Sequence, residues 1–150
     1  MDIAPWLLFL HIVGAVAWVG GGLMLMAVGM ATLRGGDPAA ASAFGRTLGW
    51  VGPRIFTPAV VLVLITGPWL VLTSSAWDFT QLWVIIGIAC FVLAFAVGVG
   101  FVARTGIAMS RTDTSPDEAR ALLRSWLAAY VAVVVILLIA LWDMVVKPGP

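Results

Sequence analysis

The sequence contains very few charged residues for its length. Asp, Glu, Lys and Arg make up 10% of its 150 residues, against about 25% in soluble domains, so they cannot cover a water-facing surface. Apolar residues make up 63%, which excludes a disordered chain. A net charge of +1 argues against nucleic acid as a partner. A single cysteine, Cys90, excludes an internal disulfide and any multi-cysteine metal site.

Long apolar segments account for most of the chain, at about residues 6–33, 55–73, 82–103 and 126–146. Each reaches the roughly 18–20 residues with which an α-helix crosses a bilayer. Helices pair their backbone groups internally, as lipid requires. The sequence therefore predicts an all-α fold, a four-helix transmembrane bundle that forms one domain over residues 1–150, with the lipid bilayer as its partner.

The basic residues are distributed unevenly between the two sides of this predicted bundle. The loop between segments one and two and the loop between segments three and four contain all seven arginines, whereas Lys147 near the C-terminus is the remaining basic residue. The positive-inside rule then predicts that both termini lie on the non-cytoplasmic side of the membrane.

Two loop motifs predict where helices begin. Asp37-Pro38 resembles an N-cap followed by proline at the first helical position, which predicts a short interfacial helix over about 38–50. Ser115 and Glu118 form a capping box around Pro116, so the fourth helix should begin there, well before the membrane.

Polar residues inside the spans are the candidate functional residues, because they are costly in lipid. His11 and Asp143 are expected at similar depth, and Thr66 and Pro68 fall near the same level. One interpretation is a buried polar network of His11, Thr66 and Asp143. For Asp143, a solvated or Lys147-paired carboxylate is favoured over a buried one. Pro68 predicts a kink or helix end.

The first helix has a face of small residues that includes Gly14. Trp18 lies on the same side of this helix, as does His11. Such a face favours close helix packing, and it could equally leave room for a flat ligand. Ala94 and Gly98 on the third helix indicate either a homodimer seam or internal packing.

The stretch from His11 to Gly21, of the form HxxGAxxWxGG, carries a family resemblance, together with Thr66-Gly67-Pro68-Trp69 and the ending Met144-Val-Val-Lys-Pro. The chain resembles the DUF2269 family of predicted bacterial integral membrane proteins, which implies a bacterial inner membrane. More distantly, it is similar to CopD-type and HemJ-type membrane domains.

The HemJ-type resemblance implies haem b, with His11 as the iron ligand. Gly14 and Trp18 would then line the flat slot that haem needs. Met144 is a candidate second ligand, a homodimer would allow two histidine ligands, and a five-coordinate iron is the third option.

Three functions therefore stay open: a haem-binding or redox-associated protein, a non-enzymatic structural or accessory protein with a buried polar network, and a transport module for a small solute or copper. The sequence lacks GxSxG, Walker, HExxH and CxxC motifs, which favours a protein that is not an enzyme.

Overall fold

The computed structural model describes residues 3–37 and 39–149. Helices account for nearly all of this part, and it contains no strand. Two short π-helical segments, Gly52–Phe56 and Gly98–Ala103, join neighbouring helices without a break. The α-helices are α1 (Ala4–Gly35), α2 (Ala40–Val51), α3 (Thr57–Thr73), α4 (Leu82–Val97), α5 (Arg104–Met109) and α6 (Pro116–Val146).

The described residues contain four continuous helices that are long and apolar enough to cross a membrane: Ala4–Gly35, Ala40–Thr73, Leu82–Met109 and Pro116–Val146. The predicted all-α fold with four spans is thereby confirmed. Their mean hydropathy lies between 2.0 and 2.8, so each helix can present apolar side chains to lipid as well as to its neighbours.

The bounds of two spans differ from those expected. The predicted interfacial helix over about 38–50 is not separate, because α2 continues through the first π segment into α3. Proline lacks an amide proton, and the wider π turn accommodates Pro53 without ending the helix. Pro38 lies outside the described residues, whereas the Asp37 carboxylate accepts a hydrogen bond from the Ala39 amide (2.9 Å) just before α2. The third span likewise continues to Met109.

Helix α1 is the central element of the bundle. It packs along α3 on one side and α6 on the other, and α6 in turn packs on α4. Helices α3 and α4 approach each other where Val71 packs with Trp83 and Val84. We call this end of the bundle the terminal end, since it contains the start of α1 and the end of α6, and we call the opposite end the arginine end.

Ala94 is fully buried in the core, so it packs internally and is not available for a dimer seam.

The predicted start of the last helix is confirmed. Helix α6 begins at Pro116, and the Ser115 hydroxyl accepts a hydrogen bond from the Glu118 amide at 3.3 Å. This cap satisfies one of the amides that the first turn of a helix leaves without a partner.

One arginine makes a contact between two helices of the bundle. The Arg120 guanidinium of α6 donates a hydrogen bond to the Leu33 carbonyl in the last turn of α1, at 3.0 Å. The last carbonyls of a helix have no partner within it and carry partial negative charge. Arg120 therefore ties α1 to α6 at the arginine end, a role that the loop-charge argument did not include.

We expect Arg120→Met to lower the free energy of unfolding by about 1–2 kcal/mol, since a charge-assisted hydrogen bond is lost while the apolar stem is retained. Denaturant titration of the purified protein in detergent micelles measures this. Arg124→Met is the matched control, because Arg124 is exposed one turn further along the same helix. Equal destabilisation of both variants would contradict a specific role for Arg120.

Candidate functional site

His11 and Thr66 meet where α1 packs against α3. The His11 Nδ1 atom lies 3.1 Å from the Thr66 hydroxyl oxygen, and that hydroxyl lies 2.6 Å from the Leu62 carbonyl. A hydroxyl has one proton, and the short distance assigns it to the Leu62 carbonyl. The hydroxyl oxygen therefore accepts from His11 Nδ1–H, which leaves Nε2 as the basic nitrogen of the neutral ring.

The imidazole ring also contacts α3 closely. A Cβ added at Gly67 would lie 3.2 Å from His11 Cε1, so the absence of a side chain at Gly67 leaves room for the imidazole ring. The half-buried ring thus contacts Thr66 and Gly67 of α3 through its Nδ1–Cε1 edge.

The kink or helix end predicted at Pro68 is not a helix end. Helix α3 continues through Pro68 to Thr73. Proline removes a single amide donor, and the turns on either side keep theirs. Thr66 therefore faces His11 from within a continuous helix.

Asp143 is fully buried, with 0% of its surface exposed. Neither carboxylate oxygen has a hydrogen-bond partner among residues 3–37 and 39–149. One oxygen lies 3.7 Å from where a Cβ at Gly87 would stand, which places the side chain against α4. The structure thus joins two members of the predicted network, His11 and Thr66, and gives Asp143 no hydrogen bond to either.

The expectation that Asp143 is solvated or paired with Lys147 is therefore wrong. The Lys147 ammonium instead lies 4.2 Å from the ring centre of Trp77 and 5.2 Å from that of Trp83. A cation over an aromatic face is attracted by the ring quadrupole. Lys147 terminates α6 in a left-handed conformation, which directs its side chain to these two rings.

The three other candidate residues lie at three different interfaces. A Cβ at Gly14 would come within 3.0 Å of the Ala59 carbonyl oxygen and of Val63, so Gly14 is a close-packing position against α3. Trp18 is buried edge-on to Phe91 of α4, with ring centres 5.6 Å apart. Met144 places its methyl group where a Gly87 side chain would stand.

Two residues of the predicted haem site pack against other helices. His11 offers Nε2, and its Nδ1–H is oriented as in many metal-binding histidines. However, Gly14 is closed by α3, and Met144 packs on α4 rather than beside His11.

Comparison of the chain with known protein families agrees with the four-span architecture. The family model described as "Predicted integral membrane protein (DUF2269)" matches residues 5–148. The chain belongs to this family. Among curated proteins and among solved structures, no match was found. Membership of the DUF2269 family thus supports an integral membrane protein embedded in a lipid bilayer. Any more specific function has to be inferred from the residues of this chain.

Sequence reasoning missed a cavity between α3 and α4 that Trp126 and Tyr130 help to line. A signal for it was present in the glycines of the second and third spans. Gly52 and Gly98 lie in long apolar helices, where glycine is unfavourable. Neither has a neighbour within 4 Å of an added Cβ, so close packing does not explain them.

We expect Asp143→Asn to leave the unfolding midpoint unchanged or to raise it. The carboxylate has no hydrogen bond to lose, and a buried polar group without a partner is destabilising. Thermal unfolding in detergent, compared with the wild type, measures the effect. A loss of more than about 1 kcal/mol would mean that Asp143 has a partner.

Proposed function

We propose that this DUF2269 protein is a non-enzymatic structural or accessory protein of the bacterial inner membrane. In this proposal, its intramembrane polar groups hold helices together and do not carry out chemistry. The observation that carries it is the hydrogen bond between His11 and Thr66, which uses the only histidine of the chain for contact between α1 and α3.

Neighbouring contacts support the same interpretation. Gly14 lets α1 approach α3 closely, one turn from His11. Gly87 does the same for α4 and α6, where Asp143 and Met144 fill the space beside it. Small residues and occasional side-chain hydrogen bonds are the usual means of helix association in lipid. The candidate residues of the terminal end thus act as a packing layer.

Orientation is part of the proposal. The arginine end faces the cytoplasm, because cytoplasmic loops retain Lys and Arg. Both chain termini then lie outside the cytoplasm. The packing layer accordingly lies in the outer half of the bilayer.

A double-mutant cycle with His11→Ala and Thr66→Val tests the packing role. We expect a coupling free energy of about 0.6 kcal/mol, and no more than about 1.7 kcal/mol, as measured for hydrogen bonds between membrane helices. Thr73→Val is the control partner, because the Thr73 hydroxyl donates to the Trp69 carbonyl of its own helix (2.9 Å). A coupling free energy no greater than that of the Thr73 control would contradict the packing role.

Haem binding through His11 is the alternative function, and the same purified proteins test it. We expect the purified wild type to show no Soret band, before or after addition of haemin, since Gly14 packs against α3 and Met144 packs against α4. An absorption spectrum, oxidised and then reduced with dithionite, measures this. A Soret band that His11→Ala abolishes would overturn the packing role in favour of iron ligation.

Alkaline phosphatase fusions test the orientation. Fused after Gly149, the enzyme should be active, because it folds only outside the cytoplasm; fused after Asp113, in the loop before α6, it should be inactive. The reverse pattern would place the termini in the cytoplasm.

A further inference from the structure

A cavity of about 470 Å³ lies in the arginine half of the bundle, away from His11. All six α-helices and both π segments contribute to its walls. Helices α3 and α4 meet at the terminal end and flank the cavity further along. Its rim includes Val61 of α3 and Phe95 of α4, which are 44% and 45% exposed. The cavity therefore opens sideways, toward the lipid.

The two π segments contribute the walls on either side of this opening. Gly52 and Phe56 line it from the first segment, and Gly98 and Val102 from the second. In the first, the Thr57 amide reaches the Gly52 carbonyl five residues back, which widens the helix around Pro53. Single π turns are rare and are frequent at functional sites. Here two of them border one cavity.

Glycines keep the cavity open. Gly49, Gly52 and Gly98 all line it, and a Cβ added at any of them would meet no atom within 4 Å. Gly52 and Gly98 have ordinary right-handed helical dihedral angles, which every L-residue adopts. Neither backbone conformation nor close packing requires glycine there, so the empty volume is what these residues provide.

Two polar groups in the aromatic wall have no partner. Tyr130 is 6% exposed, lines the cavity, and has its ring stacked on that of Trp126 (4.5 Å between centres, 8° between planes). Its hydroxyl lies 2.8 Å from where a Cβ at Gly22 of α1 would stand, and it makes no hydrogen bond with the described residues. The buried Trp126 Nε1–H is likewise without an acceptor among them. Unsatisfied donors are rare in apolar surroundings, and a ligand or water commonly completes them.

We propose that this cavity binds a membrane-soluble quinone. A quinone offers a carbonyl oxygen to the Tyr130 hydroxyl and, with a small shift, to the Trp126 indole N–H. Its flat ring suits the aromatic walls of Trp18 and Tyr130, which favour stacked or edge-on rings. Its apolar tail can leave between α3 and α4 into the bilayer. A saturated acyl chain would need neither the donors nor the aromatic rings.

Photo-crosslinking tests the proposal on the full chain in detergent. The probe is a tritiated azido-benzoquinone, with a decyl-substituted benzoquinone as the competitor. For the wild type we expect saturable labelling that the competitor displaces, mapping to peptides from residues 49–61 or 94–107. Labelling that is not saturable, or that maps elsewhere, would overturn the proposal.

Three variants make the test specific. Tyr130→Phe removes only the unpartnered hydroxyl, so we expect an apparent Kd about three- to tenfold higher, the effect of one hydrogen bond, with an unchanged melting midpoint. Gly98→Leu fills the cavity and should abolish displaceable labelling. Gly100→Leu is its control, because Gly100 has equally open surroundings two residues along and does not line the cavity.

Equal labelling of Gly98→Leu and Gly100→Leu, or full affinity in Tyr130→Phe, would exclude quinone binding at this site. So would a phospholipid that copurifies with the wild type, is lost from Gly98→Leu and is not displaced by the quinone, since the cavity would then be a lipid site. Melting midpoints measured in parallel separate loss of binding from loss of folding. The His11–Thr66 packing role is unaffected by either result, because it concerns the opposite end.

Discussion

The absence of water in the bilayer core is the constraint on which this structure depends. A polar group there must find its partner within the chain. Thr66, Thr105 and Ser125 each donate their hydroxyl to the carbonyl four residues back, and Arg120 reaches across to a free carbonyl of α1. Because so many groups comply, the few that do not are informative.

At the terminal end, the helices are in close contact with one another. His11 is held between Thr66 and Gly67, Gly14 lies against α3, and the side chains of Asp143 and Met144 occupy the space left by Gly87. At the arginine end, the same kind of residue has the opposite effect. Gly52 and Gly98 face empty volume rather than a neighbouring helix. Glycine therefore cannot be assigned a role in this chain without knowing what stands opposite.

The fold was predictable from sequence because it depends on properties that are averaged over about twenty residues. Continuous apolar runs and the capping box at Ser115 gave the four spans and the start of α6 correctly. The continuity of α2 with α3 was not predictable, since Pro53 alone is as compatible with a helix end as with a π turn. Thr66 was linked to His11 because both were placed at one depth. Depth does not give rotation about the helix axis, and Asp143 consequently faces α4 instead of His11.

The cavity eluded the sequence for a related reason. Trp126 is the first residue of the fourth apolar segment, and it is buried at 1% exposure and stacked on Tyr130. Its environment is set by α2 and α5, since Phe44 packs edge-on to its ring and Gly106 stands beside its indole nitrogen. Such contacts between distant segments leave no periodic trace in the sequence.

The central position of α1 has a consequence for biogenesis. Among the described helices, α1 is synthesised before the others, yet it packs on α3 and α6, and α6 is synthesised after the other five. Until α3 enters the membrane, the Nδ1–H of His11 has no hydroxyl to bind. Until α6 arrives, Gly22 lacks the Tyr130 ring that packs on it, and the Leu33 carbonyl lacks Arg120. Helix α1 must therefore remain in lipid with part of its packing surface uncovered until α6 is inserted, and the core described here can form only then.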